Sequence, residues 1–214
     1  MLVSIIITTF NYDRFIERAI RSALDQSLSK ELYEIIVVND ASTDKTENIL
    51  DNYVEDIRII NLKNNLGLAA ARNEGIRKAK GQFVVFLDAD DYIHKDLIKI
   101  QSVFLTENNS INAVSVNYYL VDELGNHVKH VDASIYPIAC GIMFRKDLLF
   151  DIGLYDEKFR AREEEDLRIR FLKKYSIHNI ILPLYRYRKH GSNLTENKKV
   201  MKKYKVRLKK KHGK

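Results

Sequence analysis

The chain has 214 residues, of which 45% are hydrophobic and 30% are charged, a balance that predicts one globular domain with a full core. The single cysteine, Cys140, excludes an internal disulfide framework and a cysteine-rich zinc site, and it fits a reducing compartment. The sequence shows neither a signal-peptide pattern nor an apolar stretch long enough to cross a bilayer. We therefore expect a cytoplasmic protein that is soluble or peripheral at the inner face of the membrane.

The net charge of +7 is concentrated at one end of the chain. Residues 198–214 hold ten Lys or Arg and no Asp or Glu, whereas residues 1–197 carry 26 basic and 29 acidic side chains, a net charge of −3. Val200, Met201, Tyr204 and Leu208 recur at helical spacing among the lysines, which is typical of an interfacial helix on an anionic membrane. The alternative is a solvated, partly disordered end.

Residues 1–92 alternate short apolar runs with amphipathic stretches. The unbroken apolar runs predict buried strands at 2–8, 34–38, 57–62 and 83–87, and the stretches between them predict helices at 13–26, 44–53 and 66–80. Repeated strand, helix, strand order predicts right-handed crossovers, a mostly parallel sheet and helices on both of its faces.

After residue 92 the pattern becomes mixed. It predicts a helix at 95–106, a strand at 113–121 with a polar hairpin turn at 122–126, a strand at 138–144, helices at 146–151 and 164–175, and strands at 177–182 and 184–188. We predict one α/β domain over 1–195, made of a nucleotide-binding half (1–92) and a mixed acceptor half (93–195). A basic tail, 196–214, follows.

Groups suited to a nucleotide follow three of the predicted strands: Thr8 to Asn11, Asn39 to Ser42, and Asp88 to Asp91. The carboxyl ends of parallel strands form the ligand crevice of such a sheet. Phe10 is suited to stack on a base, and Asp40 to accept the imide N–H of a uracil or thymine. Asp88 and Asp90 are suited to hold a divalent cation.

Each of these residues also has a structural interpretation. Asp40 would serve as a turn residue that caps the next helix, and the acidic run as a solvated turn before the helix near Lys95. Arg72, in the helix after Asn65-Leu66-Gly67, would face either the crevice or the solvent.

The chain resembles the family 2 glycosyltransferases with the GT-A (Rossmann-like) fold over residues 3 to about 195. Eight ordered segments carry the resemblance: 3–11, 34–44, 65–75, 86–91, 140–145, 153–157, 163–167 and 187–192. It implies an inverting enzyme that moves a hexose from a nucleotide-diphosphate sugar, expected to be UDP-linked, to a hydroxyl of a glycan or lipid-linked acceptor in polysaccharide biosynthesis.

The resemblance also implies roles for residues. Thr8, Phe10, Asp40, Arg72 and Asp88 would bind the nucleotide. Mg²⁺ or Mn²⁺ would be held by Asp90, with Asp88 between ribose and metal and His190 at the diphosphate or metal, while Asp91 shapes the turn. Loops including 132–139 would select the donor sugar.

The base that removes the acceptor proton is expected in the acidic run Glu163-Glu164-Glu165-Asp166. The family's usual Glu-Asp-x-Asp register places Glu164 at the base position, where an Asp is more usual, and Glu163 is the second choice. Helix-end acids are the structural alternative. Nearby arginines, at 160, 162, 168 and 170, are expected to offset the repulsion among these acids.

Two other functions are suggested by parts of the sequence. A sugar-phosphate nucleotidyltransferase also needs a parallel sheet and paired acids, but residues 9–14 contain none of the glycine that its phosphate loop requires. A non-enzymatic binder of anionic polymers, working through the basic tail, conflicts with the acidic body, so no nucleic-acid partner is expected.

Overall fold

The computed structural model describes residues 1–191 and 193–213, with the side chain of Leu194 set aside. Ser192 of the 187–192 segment and Lys214 of the tail lie outside the described residues. The strands are β1 (Val3–Thr9), β2 (Tyr33–Asn39), β3 (Arg58–Asn61), β4 (Phe83–Asp88), β5 (Tyr92–Ile93), β6 (Ala113–Val121), β7 (His127–Val131), β8 (Met143–Arg145) and β9 (Ile177–Arg188). The α-helices are α1 (Ile16–Leu24), α2 (Thr46–Leu50), α3 (Leu68–Lys78), α4 (Leu97–Glu107), α5 (Lys146–Asp151), α6 (Glu163–Phe171) and α7 (Lys198–His212).

The strands form one sheet in the order β3-β2-β1-β4-β8-β6-β9-β5, with β7 paired to β6. The first four are mutually parallel, as predicted, and the apolar residues of β1, β2 and β4 are almost wholly buried. The chain moves from β1 to β3 through α1 and α2 and returns across the sheet through α3 to β4. Right-handed crossovers therefore place α3 on the opposite face from α1 and α2.

The second half is mixed, as predicted. Strand β8 runs antiparallel to β4 and β6, β7 closes the predicted hairpin on β6, and β9 is parallel to β6. The two predicted strands at 177–188 are one strand that passes through Pro183. Pro183 lies opposite Asn117, where the register of the pairing with β6 shifts, and such irregular positions tolerate a residue that has no N–H to donate.

The structure differs from the sequence prediction at two places in this half. Of the predicted strand at 138–144, only Met143 and Phe144 lie in a strand, β8, because residues 139–141 form bends before the chain enters the sheet between β4 and β6. The short β5, which pairs with β9 beside the acidic turn, gave too brief a pattern to predict.

Helix α7 is packed on the domain rather than free. Tyr204 and Leu208 are buried against Phe159 and Ala161, which lie just before α6, and Val200 and Met201 pack partly against the same cluster. The apolar line expected to meet a bilayer thus faces the protein. Within the described part of the chain, no helix combines the length and apolar character needed to span a membrane.

Candidate active site

The strand register brings the three predicted segments together. Thr8 of β1 lies opposite Asp88 of β4, and Thr9 lies opposite Asn39 of β2. The chain leaves β1 toward β2 on one side and returns to β4 on the other, so this is the switch point where an open α/β sheet forms a crevice. The sequence prediction of a convergent strand-end site is supported by this geometry.

The loops after β1 and β2 form one wall of the crevice. Asn11 and Ala41 have φ angles of 58° and 61°, conformations that non-glycine residues rarely adopt. The Oδ1 atom of Asn11 accepts a hydrogen bond from the amide of Thr43 at 2.7 Å, which ties the two loops together. Beside them the Phe10 ring is 40% exposed and lines the crevice, available for stacking.

Asp40 is buried and fixes the loop before α3. Its two carboxylate oxygens accept the backbone N–H groups of Leu66 and Gly67, each at 2.7 Å. An ionised carboxylate has about four acceptor positions, so these two bonds leave capacity toward the crevice. Gly67 has a φ of 89° and lies against the Arg160 guanidinium, where a Cβ would collide.

The acidic turn after β4 is stabilised from β9 and the loop that follows. Nε2 of His190 lies 2.9 Å from Oδ2 of Asp90, and Nδ2 of Asn193 donates to the same oxygen at 3.1 Å. Asp91 accepts the Tyr185 hydroxyl at 2.6 Å and the Arg188 amide at 2.8 Å, which agrees with a turn-shaping role. Burial and then the charge of Asp88 raise the pKa of Asp90.

Arg72 links this turn to the second acidic motif. Its guanidinium is 1% exposed and donates to Oδ1 of Asp88 at 2.7 Å and to Oε1 of Glu163 at 2.9 Å. It also lies 3.6 Å from Sγ of the buried Cys140. Neither solvent-facing nor wholly turned to the crevice, Arg72 is a buried bridge between β4 and α6.

The acids in the first turn of α6 lie in different environments. Glu163 is 2% exposed and committed to Arg72, and among the described residues its Oε2 has no hydrogen-bond partner. Glu165 pairs with Arg162. Glu164 lines the crevice, and burial followed by the charge of Glu163 raises its pKa to about 7.

Several crevice residues were not predicted as site residues. Arg160, Arg162 and Met201 line it from α7 and from the segment before α6, while Tyr12, Tyr187 and Asn193 line it near the acidic turn. Only the expectation that arginines offset the acids pointed at Arg160 and Arg162. Pro137, Ile138 and Ala139 also line it, in the region predicted to select the donor sugar.

The crevice has a volume of about 800 Å³ and is lined both by the strand-end loops and by Glu164. Asp88 and Asp90 line the crevice with carboxylate oxygens, which suit Mg²⁺ or Mn²⁺, whereas the part of the chain that the structure describes places His190 against Asp90 and outside the lining. Within 1–191 and 193–213, no group of three or more His, Cys, Asp or Glu is arranged to hold a metal ion by protein ligands alone. That fits a cation whose other positions go to substrate phosphates, as Mg²⁺ sites with one or two carboxylates do.

A crevice at the switch point that is suited to a nucleotide and is also lined by a candidate carboxylate base is typical of the GT-A class of glycosyltransferases. The family model described as Glycosyl transferase family 2 matches residues 4–166, and the chain belongs to this family. Family membership favours glycosyl transfer over the nucleotidyltransferase and polymer-binder interpretations.

Individual relatives of the chain are also named as glycosyltransferases. An uncharacterized glycosyltransferase of Rickettsia conorii is 33% identical over 206 residues, which cover 90% of this chain and 34% of that protein. Poly(ribitol-phosphate) beta-N-acetylglucosaminyltransferase TarS of Staphylococcus aureus is 29% identical over 179 residues, covering 77% of this chain and 31% of TarS. The chain thus spans about a third of the length of these curated relatives.

Solved structures show the same fold. Residues 1–349 of S. aureus TarS in complex with UDP superpose with a TM-score of 0.77 at 25% identity, covering 96% of this chain and 65% of that one. The mannosyltransferase PcManGT of Pyrobaculum calidifontis, in complex with GDP-Man and Mn²⁺, gives a TM-score of 0.76 at 19% identity, covering 98% and 63%. The chain is a glycosyltransferase domain with the GT-A fold.

The buried bridge predicts a large stability difference between two arginines of α3. Replacing Arg72 with Met leaves Glu163 and Asp88 without their cation and should lower the free energy of unfolding by about 3–5 kcal/mol. Replacing Arg77 with Met removes only half-exposed pairs with Glu74 and Glu157 and should cost about 0–1 kcal/mol. Urea unfolding of both variants measures the difference, and equal losses would contradict the bridge.

Proposed function

We propose that the domain moves a sugar from a UDP-sugar to an acceptor hydroxyl by single displacement with inversion at the anomeric carbon. The observation that carries the proposal is that Glu164 lines the same crevice as Phe10, Asp40 and the acidic turn. A donor bound in the crevice would have its nucleobase beside Phe10 and Asp40 and its sugar near Glu164.

The nucleotide would bind at the strand ends. Phe10 would stack on the base, and the remaining acceptor capacity of Asp40 would take the imide N–H of uracil. The backbone of Thr8, opposite Asp88, borders the ribose position. The UDP complex of TarS supports a uridine donor, and the GDP-Man complex of PcManGT keeps guanosine as the competitor to test.

The diphosphate would lie against the acidic turn. Asp90, Asp88 and His190 would hold Mg²⁺ or Mn²⁺, which when bound offsets the negative charge of the departing diphosphate. The Mn²⁺ in the PcManGT complex supports this assignment. Arg72 would contribute indirectly, because its ion pair with Asp88 holds that carboxylate in place.

The chemical step needs one proton acceptor. The acceptor oxygen forms a bond to the anomeric carbon while the bond to the diphosphate oxygen breaks, and its electron pair leaves with the diphosphate. Glu164 takes the hydroxyl proton. A base is most effective when its pKa lies near the working pH, and the raised value of about 7 meets that condition.

The acceptor would be a glycan or a lipid-linked sugar in polysaccharide biosynthesis, and the domain would work in the cytoplasm. A peripheral membrane position, expected from the tail, would rest on lysines alone, because the apolar residues of α7 face the domain.

The base assignment predicts a pH-dependent loss. Because only deprotonated Glu164 accepts the proton, kcat/KM should rise with pH through about 7 and then level off. Glu164→Gln should lower kcat by about 10²–10⁴-fold and remove this limb of the profile. Glu165→Gln, which breaks the pair with Arg162 and removes a smaller contribution to the raised pKa of Glu164, is the matched control. A kcat/KM of the unmodified enzyme that did not rise with pH near 7 would refute the assignment, as would equal losses of kcat in both variants.

The donor assignment is tested by thermal shift with UDP, GDP and dTDP, each with and without Mn²⁺. A nucleotide present at 100 times its Kd should stabilise the fold by about 2.7 kcal/mol. We expect UDP with Mn²⁺ to give the largest rise in Tm and Asp40→Asn to reduce it. If none of the three nucleotides raised the Tm, the proposed function would fail.

A further inference from the structure

The fold leaves one strongly charged surface that the proposed reaction does not use. Residues 198–211 of α7 carry eight lysines and Arg207, and no acidic residue. Like charges one turn apart, such as Lys198 with Lys202 and Lys205 with Lys209, each destabilise an isolated helix by about 0.2–0.5 kcal/mol. This repulsion is present on a helix that packs against the domain through Tyr204 and Leu208.

This surface is held beside the catalytic crevice. Nε of Arg162 donates to the carbonyl of Met201 at 3.2 Å, and both residues line the crevice. Near the other end of α7, Nζ of Lys211 lies 2.6 Å from Oδ1 of Asp166, a carboxylate of α6. Helix α7 is therefore tied to α6, the helix that carries Glu164, and to the segment just before it.

Most of the positive charge on α7 is uncompensated. Among the described residues, Lys211 is the α7 lysine that forms ion pairs with acids, to Asp156 and Asp166. Lys202 and Lys205 are exposed and lie one position and one turn from Met201 at the crevice. Arg160 and Arg162 continue the positive surface into the crevice itself.

A bilayer is a poor match for this surface. Tyr204 and Leu208 are buried on the domain, Val200 and Met201 are partly covered, and Val206, 63% exposed, is the large apolar residue of α7 that faces outward. An interfacial helix needs a whole apolar face toward the lipid. A water-soluble chain of anionic groups needs only the lysines.

We infer that the acceptor is the glycan rather than the lipid-linked alternative, and that it belongs to a soluble, phosphate-bearing polymer whose phosphates lie along the exposed lysines of α7 while one of its hydroxyls enters the crevice beside Glu164. This inference rests on the proposed function and adds the chemical class of the acceptor. The charged surface would raise the local concentration of such a polymer and align it with the base.

The test compares two full-length variants with the same change in net charge. Lys202→Glu with Lys205→Glu reverses the surface near the crevice. Lys30→Glu with Lys80→Glu reverses exposed lysines near the amino ends of β2 and β4, away from the strand ends that form the crevice. The probes are a fluorescent synthetic glycerol-phosphate polymer, a neutral dextran, and vesicles of phosphatidylglycerol and phosphatidylcholine.

We expect the polymer to bind the unmodified protein and the 30/80 variant alike, and the 202/205 variant at least about tenfold more weakly, with dextran unbound. Equal polymer binding by the two variants would overturn the inference. So would vesicle binding stronger than polymer binding and lost in the 202/205 variant. UDP with Mn²⁺ should raise the Tm of all three proteins equally. Failure of that rise overturns the proposed function, whereas the polymer measurements alone decide the α7 surface.

Discussion

The buried guanidinium of Arg72 is the contact on which the arrangement of the site depends. Burying a cation costs several kcal/mol, which is recovered only with close, well-oriented anions. Asp88 and Glu163 supply them from β4 and α6, and the rings of Phe86 and Tyr155 lie 5.7 and 5.5 Å from the guanidinium carbon. One side chain thus ties β4 to α6 and fixes Asp88 relative to Glu163.

Even with this bridge, the site holds more negative than positive charge. Burial and neighbouring acids raise the pKa values of Asp90, Asp91 and Glu163, and that of Glu164 to about 7. The same charges serve two purposes. At the acidic turn they would favour a divalent cation, and at α6 they would keep the Glu164 carboxylate basic enough to accept a hydroxyl proton near neutral pH in the proposed reaction.

The sequence predicted the parallel half well, because β1, β2 and β4 are buried on both faces and read as unbroken apolar runs. It also predicted that their ends would converge, since this follows from parallel pairing. It did not reveal the partners of Arg72, which come from segments far apart in the chain. The docking of α7 was missed for a related reason. Its apolar spacing predicts an amphipathic helix, but only the tertiary structure decides between a bilayer and Phe159.

The most direct test is a crystal structure of the domain with UDP and Mn²⁺. The account predicts uracil between Phe10 and Asp40, the cation at Asp90 with the diphosphate beside it, and the Glu164 carboxylate facing the vacant sugar position. A nucleotide bound elsewhere, or a diphosphate that leaves Asp90 uncontacted with Glu164 turned out of the crevice, would contradict it.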